Sequence, residues 1–394
     1  MMDRKEILKG LIGRLSRGES MEEVRAEFKR HFQDVPADEI AAAEKLLMEE
    51  GMQVEEVQQM CDVHASLFEG SVQQAEEARP GHPLYTFRKE NEGLEQFMQT
   101  MLVPVWLAYR NDPGEAEREG LLTALEELSK IDRHYSRKEN LFFPYLERAG
   151  VTAPPKVMWG VDDEIRGLID QVTHAVEDGR ADDANASFPV MMENIQSMIM
   201  KENEILSPLL MQHLTEEDWK VVAGESSQIG FAFAQDVEGA SLSDTRAFAK
   251  TGSAAPAPRS EAPIQLPSGF FTNEELTAML NVLPCDVTFV GADDKVHFFS
   301  EQEKRVFPRT RTIIGRDVTD CHPPKSLAQV QALVEAFKAG TKDSETYWIQ
   351  RGPAFVLIRY YAVRSPEGEY LGVLECTEEI SGLRALEGQK TLMS

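Results

Sequence analysis

The sequence predicts a multidomain protein with an all-α N-terminal part, which includes a four-helix bundle, followed by an α+β domain. The tripeptide Lys-Glu-Asn occurs at 89–91, 138–140 and 201–203, each time among apolar residues that recur at helical spacing. A stretch rich in Pro, Ala and Ser at 252–258 separates these segments from the rest of the chain. After Phe271 the pattern changes to short runs of β-branched and aromatic residues, which favour strands.

Net charge, cysteine content and the lengths of apolar runs limit the kinds of function that the protein can have. The 394 residues include 41 basic and 67 acidic side chains, for a formal net charge of −26. Such a balance argues against a nucleic-acid partner and against binding to anionic membranes. The four cysteines are scattered, which favours reduced thiols in a cytosol. No apolar run has the length of a signal peptide or a membrane span, so we expect a cytoplasmic protein.

Residues 1–75 are predicted to form an N-terminal helical domain. Pro36 opens one helix and Gly51 closes it. The next helix, from about 53 to 70, places His64 on the same face as Cys61 and Phe68. His64 is therefore either a packed core histidine or a ligand that reaches the next domain.

Residues 80–235 are predicted to form the bundle. Turn signals separate four amphipathic segments, which suggests an up-down-up-down arrangement. These segments cover about 83–110, 115–148, 155–178 and 185–212. Pro104, Pro144 and Pro208 fall late in three of them and predict kinks or early ends.

Three glutamates fall on the faces that these helices should bury. At about 100° per residue, Glu90, Glu139 and Glu202 each point the same way as the apolar side chains of their own helix. An isolated buried carboxylate is costly, so such groups are normally paired, protonated or bound to metal. A metal or cofactor site inside the bundle is the favoured interpretation.

The remainder of the chain is predicted to be a linker over 236–268 and an α+β domain over 269–386. A helix at 273–283 opens the domain, and a longer helix at 325–338 separates its early strands from its late ones. This order favours an antiparallel sheet with helices on one face. The predicted strands are Asp286–Gly291, Val296–Ser300, Thr346–Gln350, Phe355–Val363 and Leu371–Cys376.

The bundle resembles the hemerythrin-like, HHE cation-binding family. The resemblance rests on Gly81-His82-Pro83 and on the runs from His134 to Pro144 and from Met198 to Pro208. It implies helices that hold two irons through histidines and His-x-x-x-Glu pairs. The segment ending at Cys61-Asp62-Val63-His64-Ala65 looks like an uncharacterised bacterial domain that precedes such bundles.

The C-terminal domain looks like a PAS sensor module. This resemblance rests on Ile314-Gly315-Arg316, on the run from Cys321 to Ser326 and on Gly372-Val373-Leu374-Glu375. It implies a PAS-like domain that senses an input or transmits a change of conformation.

The bundle departs from the hemerythrin-like pattern at several positions. Lys138 stands four residues after His134, and Glu139 follows one residue later, about 140° from His134 on a regular helix. A local bulge would be needed to bring these two side chains together. Met198 stands where the family has a histidine. In the third helix, Glu164 is predicted to lie nearest the apolar edge. A standard five-histidine oxygen-carrier site cannot be assembled.

Three interpretations of the bundle core remain. The first is a non-heme iron site, with one iron or two, for which carboxylate and imidazole are suitable ligands. Its candidate ligands are His82, His134, Glu90, Glu139, Glu202 and His64. The second is heme, with His64, His82 or His134 as an axial ligand and Met198 in a methionine-rich wall. The third is a metal-free network of hydrogen bonds. In the C-terminal domain, Cys321 and His322 are candidates for binding heme, or else part of a proline-rich turn.

These expectations favour a sensor that detects oxygen, nitric oxide or redox state through an iron centre coupled to the PAS-like module. A protein partner would receive the output, and the PAS-like module would support a homodimer. A heme-binding sensor that uses the same histidines is one alternative. A non-heme di-iron oxidase, a peroxidase or an iron-sulfur repair protein is another. The sequence has no catalytic constellation or phosphate-binding loop, so a non-enzyme is favoured.

Overall fold

The computed structural model describes residues 78–234, 237–250, 264–302 and 305–388, together with isolated positions between 7 and 30. The described residues divide into two compact units, one formed mainly by residues up to 250 and the other mainly by residues from 264 onward. Most of the predicted N-terminal domain lies outside the described residues, and so does His64. No helix in the described ranges is both long and apolar enough to cross a membrane.

The first unit is a bundle of helices, as the apolar periodicity predicts. Helix α1 joins Pro83–Phe97, a π-helical turn at Met98–Leu102, and Val103–Asn111. Helix α2 is Glu115–Leu128, and α3 joins Ile131–Arg137, a π-helical turn at Lys138–Phe142, and Phe143–Arg148. Helix α4 is Ala153–Glu177, and α5 joins Ala181–Lys201, a π-helical turn at Glu202–Leu206, and Ser207–His213. Helix α6 is Glu216–Ile229, and α7 is Leu242–Lys250.

The apolar stripes of these helices form one continuous core. Phe87, Leu125, Ile165 and Met198 are fully buried in it. Trp106 of α1 stacks on Phe188 of α5 with ring centroids 4.4 Å apart. Each such side chain contributes about 1.5–3 kcal/mol by leaving water, so packing of the stripes is the main stabilising term.

The three π-helical turns have a common cause. Each turn begins six residues before a proline, namely Pro104, Pro144 or Pro208. Proline lacks an amide hydrogen, and its ring clashes with the carbonyl four residues earlier, which lies within the turn. The helix accommodates this by widening: in α3 the Phe143 amide donates to the Lys138 carbonyl, five residues back. The predicted kinks at these prolines are therefore widened turns.

Helix α7 corrects the start of the predicted linker. Ser241 and Asp244 cap it reciprocally, since the Asp244 amide donates to Ser241 Oγ and the Ser241 amide donates to Asp244 Oδ2. Phe248 is buried in the bundle core. The linker prediction missed this helix because one aromatic residue in a short segment gives no apolar period. The end of the predicted linker also folds, into the first strand of a hairpin formed by β1 (Ile264–Leu266) and β2 (Gly269–Phe271).

The second unit contains the predicted antiparallel sheet. Helix α8 (Asn273–Asn281) precedes β3 (Asp286–Gly291) and β4 (Val296–Phe299), and α9 (Leu327–Lys338) follows. Strands β5 (Ser344–Arg351), β6 (Ala354–Arg364) and β7 (Tyr370–Glu379) then precede the short helix α10 (Ser381–Arg384). The strand order is β4-β3-β7-β6-β5, with every pair antiparallel. Phe337 of α9 packs against the sheet in a core with Val290 and Val373. The predicted fold class is confirmed.

Candidate functional sites

The three glutamates of the Lys-Glu-Asn segments are buried, as predicted. Glu90 lies on α1, Glu139 on α3 and Glu202 on α5, and their exposed fractions are 1%, 5% and 0%. Since a buried carboxylate is costly without a partner, the groups that contact each of them decide what the core can do.

His134 joins two of these carboxylates. Its Nδ1 lies 3.0 Å from Glu90 Oε2, and its Nε2 lies 3.0 Å from Glu202 Oε2. A carboxylate oxygen only accepts, so both ring nitrogens donate and the ring is an imidazolium. Burial works against this charge, but Glu202 and Glu90 outweigh burial and raise the pKa of His134. Phe87 stacks on the ring with centroids 4.0 Å apart.

Glu90 is held by three donors. Besides His134, the Arg137 guanidinium donates to both of its oxygens, with Nη1 3.2 Å from Oε1. The Ala232 amide, in the segment after α6, donates to Oε1 at 2.7 Å. Glu90 is therefore saturated by cations and an amide of the chain itself.

Lys138 is fully buried between Glu202 and one further carboxylate, that of Asp162. Its Nζ lies 2.7 Å from Asp162 Oδ1 on α4 and also donates to Glu202 Oε1. Burial opposes the ammonium charge, but Asp162 and Glu202 outweigh burial and raise the pKa of Lys138. Burial also works against the Glu202 carboxylate, yet Lys138 and His134 lower its pKa to about 2. Burial raises the pKa of Asp162, and the Lys138 ammonium acts against that rise and favours the carboxylate.

Glu139 belongs to a separate ion pair. Arg166 of α4 donates to both of its oxygens, at 2.8 and 3.2 Å. Burial raises the pKa of Glu139, and Arg166 acts against that rise. The structure therefore brings His134, Glu90 and Glu202 together and places Glu139 with Arg166.

His82 occupies another part of the bundle. It is the N-cap of α1, where its Nδ1 accepts a hydrogen bond from the Leu84 amide at 3.1 Å. Its ring packs against Trp219, with centroids 4.5 Å apart, and against Phe248. Burial, followed by the charge of Arg79, lowers the pKa of His82 to about 4. His82 is thus a neutral capping residue. Met198, the candidate for a heme wall, is buried in the apolar core.

The prediction for the third helix was wrong in one residue. Glu164 is exposed, and Asp162 is the acidic side chain that faces the core. Asp162 precedes Ile165 by three residues and Ile169 by seven, the spacing of one helix face. Glu164 was expected to lie nearest the apolar edge because it adjoins Ile165 in sequence.

The cationic partners Arg137, Lys138 and Arg166 were missed altogether. Lys138 lies three and four residues before Leu141 and Phe142, both of which are buried. That spacing indicated an inward side chain. Its charge suggested a surface position, because lysine is almost never fully buried without a partner.

The C-terminal unit contains a separate cavity of about 400 Å³ between α9 and the sheet. Its wall is mainly apolar and includes Val290, Val334, Phe337, Ile358 and Val373. Mostly apolar cavities of this size with a few polar groups are typical of small-molecule sites.

Several polar side chains also line the cavity, among them His322, Tyr360 and Glu375. Burial lowers the pKa of His322, so its ring is neutral, and its Nδ1 donates to the Val318 carbonyl at 2.7 Å. Nε2 is therefore the nitrogen with the lone pair. Burial, followed by the Glu375 charge, raises the pKa of Tyr360, whose hydroxyl donates to Glu375. Cys321, the other predicted heme ligand, packs against the apolar core of the unit.

Models of three families match the chain. Residues 82–210 match the hemerythrin HHE cation binding domain. This segment is a hemerythrin HHE domain. Residues 276–381 match the PAS domain, and residues 8–74 match a family of unknown function, DUF438. The order of the three domains is the one that the resemblances predicted, and a hemerythrin domain together with a PAS domain supports a role in sensing or signalling.

Solved structures resemble about a quarter to a third of the chain. A C-terminal domain from Streptococcus mutans is 32% identical, with a TM-score of 0.31, over 33% of this chain and 100% of that one. A sensory box sensor histidine kinase from Vibrio cholerae is 17% identical, with a TM-score of 0.22, over 27% of this chain and 90% of that one. No curated protein matches the chain significantly.

The hemerythrin family usually binds non-heme iron, and the donor set of this domain does not fit that metal. A metal ligand must be a neutral imidazole or an available carboxylate. His134 has both ring nitrogens on carboxylates, and the Lys138 ammonium lies between Asp162 and Glu202. Within the described ranges, no three His, Cys, Asp or Glu side chains are arranged to hold a metal ion.

Proposed function

We propose that the chain is a sensor whose input is a small, mainly apolar molecule bound in the PAS cavity. The observation that carries the proposal is the cavity of about 400 Å³ between α9 and the sheet, with its apolar wall and few polar groups. The pairing of a PAS domain with a hemerythrin domain supports sensing as the role of that site.

The polar groups suggest the chemistry of the ligand. His322 is neutral and offers a lone pair on Nε2, so it favours a ligand with a hydroxyl or N–H donor. Glu375 already accepts from Tyr360 and from Thr377 Oγ1, which lies 3.2 Å away. A ligand with an apolar body and one donor group is therefore the class that we propose.

Heme is the second candidate ligand of this cavity. A neutral histidine with an available Nε2 is a suitable axial ligand for heme iron, and His322 lines the cavity wall. Detection of oxygen, nitric oxide or redox state would then belong to the PAS domain. An iron centre in the hemerythrin domain is less well supported, because the candidate carboxylates Glu90, Glu139 and Glu202 are paired with cations of the chain.

The remaining elements of the proposal rest on the sequence. We place the protein in the cytoplasm, with a protein partner that receives the signal and with self-association through the PAS domain. The hemerythrin domain would transmit or support the response. No enzymatic activity is proposed.

Binding to the full-length chain tests the proposal. The two probes are 2-naphthol, an apolar ring system with one hydroxyl donor, and hemin. Binding of 2-naphthol is measured by calorimetry and binding of hemin by absorption spectroscopy. We expect saturable binding of one probe, weakened by His322→Phe and abolished by Val334→Trp, which fills the cavity. The control is His297→Phe, a half-exposed histidine of the same domain. Equal binding by all three variants would place the ligand elsewhere.

A further inference from the structure

We infer that Lys138 is an internal cation that replaces a metal ion in the hemerythrin domain, so that this domain folds without metal. The ammonium contacts carboxylates from two other helices, Asp162 of α4 and Glu202 of α5. A bound cation would occupy the same position between these oxygens. The inference is independent of the ligand proposed for the PAS domain.

His134 carries a positive charge in this core. Its two ring nitrogens each lie 3.0 Å from a carboxylate oxygen, on Glu90 and on Glu202. Both must carry hydrogen, and the ring then has no lone pair for a metal. The histidine thus acts as a second cation of the core.

Each carboxylate of this core is paired with a cation supplied by the chain. Glu90 binds Arg137 and His134, Glu202 binds Lys138 and His134, and Asp162 binds Lys138. A divalent ion would have to displace a fully buried ammonium. Removing one partner from a buried ion pair is strongly unfavourable, because the other charge stays buried and uncompensated.

The lysines of two Lys-Glu-Asn segments have different surroundings. Lys89, in the first segment, lies near the surface and binds Glu92 on its own helix. Lys138, in the second, has a fully buried side chain and connects α3 to α4 and α5. The same tripeptide therefore supplies a matched control within one domain.

The experiment compares full-length wild type, Lys138→Met and Lys89→Met. Metal content is measured by elemental analysis after purification without oxygen. Thermal unfolding is followed by helical circular dichroism with EDTA, and with added Fe²⁺ or Zn²⁺. We expect wild type to contain well under one equivalent of metal and to unfold at the same Tm in EDTA as in either metal.

In Lys138→Met, Asp162 and Glu202 face a position without a cation. We therefore expect its Tm to be lower than that of wild type by on the order of 10 °C. We also expect its Tm to rise when metal is added. Lys89→Met should keep the Tm of wild type. Stoichiometric metal in wild type, or a lower wild-type Tm in EDTA, would overturn the inference. Both of these measurements are made on wild type, so they test the inference even if Lys138→Met does not fold.

Discussion

In the hemerythrin domain His134 is charged and His82 is neutral, and the groups around each ring explain the difference. His134 lies between Glu90 and Glu202, which raise its pKa in spite of burial. His82 lies among Trp219 and Phe248 near the charge of Arg79, and its pKa falls to about 4. The sequence placed both in one candidate site, because residue type alone does not show the partners of an imidazole.

The low pKa of His82 predicts that the bundle loses stability in acid. Between pH 6.5 and about 4 the unfolded chain binds a proton at His82 and the folded chain does not. The free energy of unfolding should therefore fall as the pH drops through this window, by at most about 3 kcal/mol. Protonation of Nδ1 would also remove the acceptor for the Leu84 amide.

Denaturant unfolding at several pH values measures this effect. His82→Asn keeps a side chain that can cap α1 but does not titrate, so its unfolding free energy should change less between pH 7 and 4.5. An identical pH dependence in the variant and wild type would show that other groups are responsible.

At the scale of elements, the sequence predicted the helices well and their local distortions only partly. The three buried glutamates followed from apolar spacing. The widened turns before Pro104, Pro144 and Pro208 were expected only as kinks. The ion pairs were not predictable, because Lys138, Asp162 and Glu202 lie on three different helices and spacing within one helix does not show contacts between helices.

Helix α7 leads to a prediction of its own. Phe248 is buried among the bundle helices, so Phe248→Ala should lower the free energy of unfolding by about 3 kcal/mol. Thermal unfolding of the full-length chain measures the effect. The control is Val221→Ala on the neighbouring helix α6, since Val221 is 43% exposed. Equal Tm values for the two variants would contradict the packing of α7 on the bundle.

For the whole molecule, the sequence predicted the domain order, the fold class and the strands of the sheet. The cavity was not predicted, because its wall combines residues far apart in the chain, such as Val290, Phe337 and Val373. Only His322 was selected beforehand, from the unusual Cys-His-Pro-Pro run. Sites formed by distant segments require the fold before they can be recognised.

Limited proteolysis tests the division into two units. The residues from 251 to 263 are rich in Pro, Ala and Ser, a composition that is typical of linkers. Cleavage should begin within this range and give two stable fragments, whose masses locate the cut. Earlier cleavage within 242–250 would contradict the folded state of α7.

The charge of His134 distinguishes an ion-paired core from an iron site, because its pairs with Glu90 and Glu202 require an imidazolium and a metal ligand requires a neutral ring. The measurement is ¹⁵N NMR of the full-length chain with labelled histidine at pH 7, with His134→Gln used to assign the signal. We expect both ring nitrogens of His134 to carry hydrogen. A ring with one nitrogen lacking hydrogen, or a signal broadened by a bound paramagnetic metal, would contradict it.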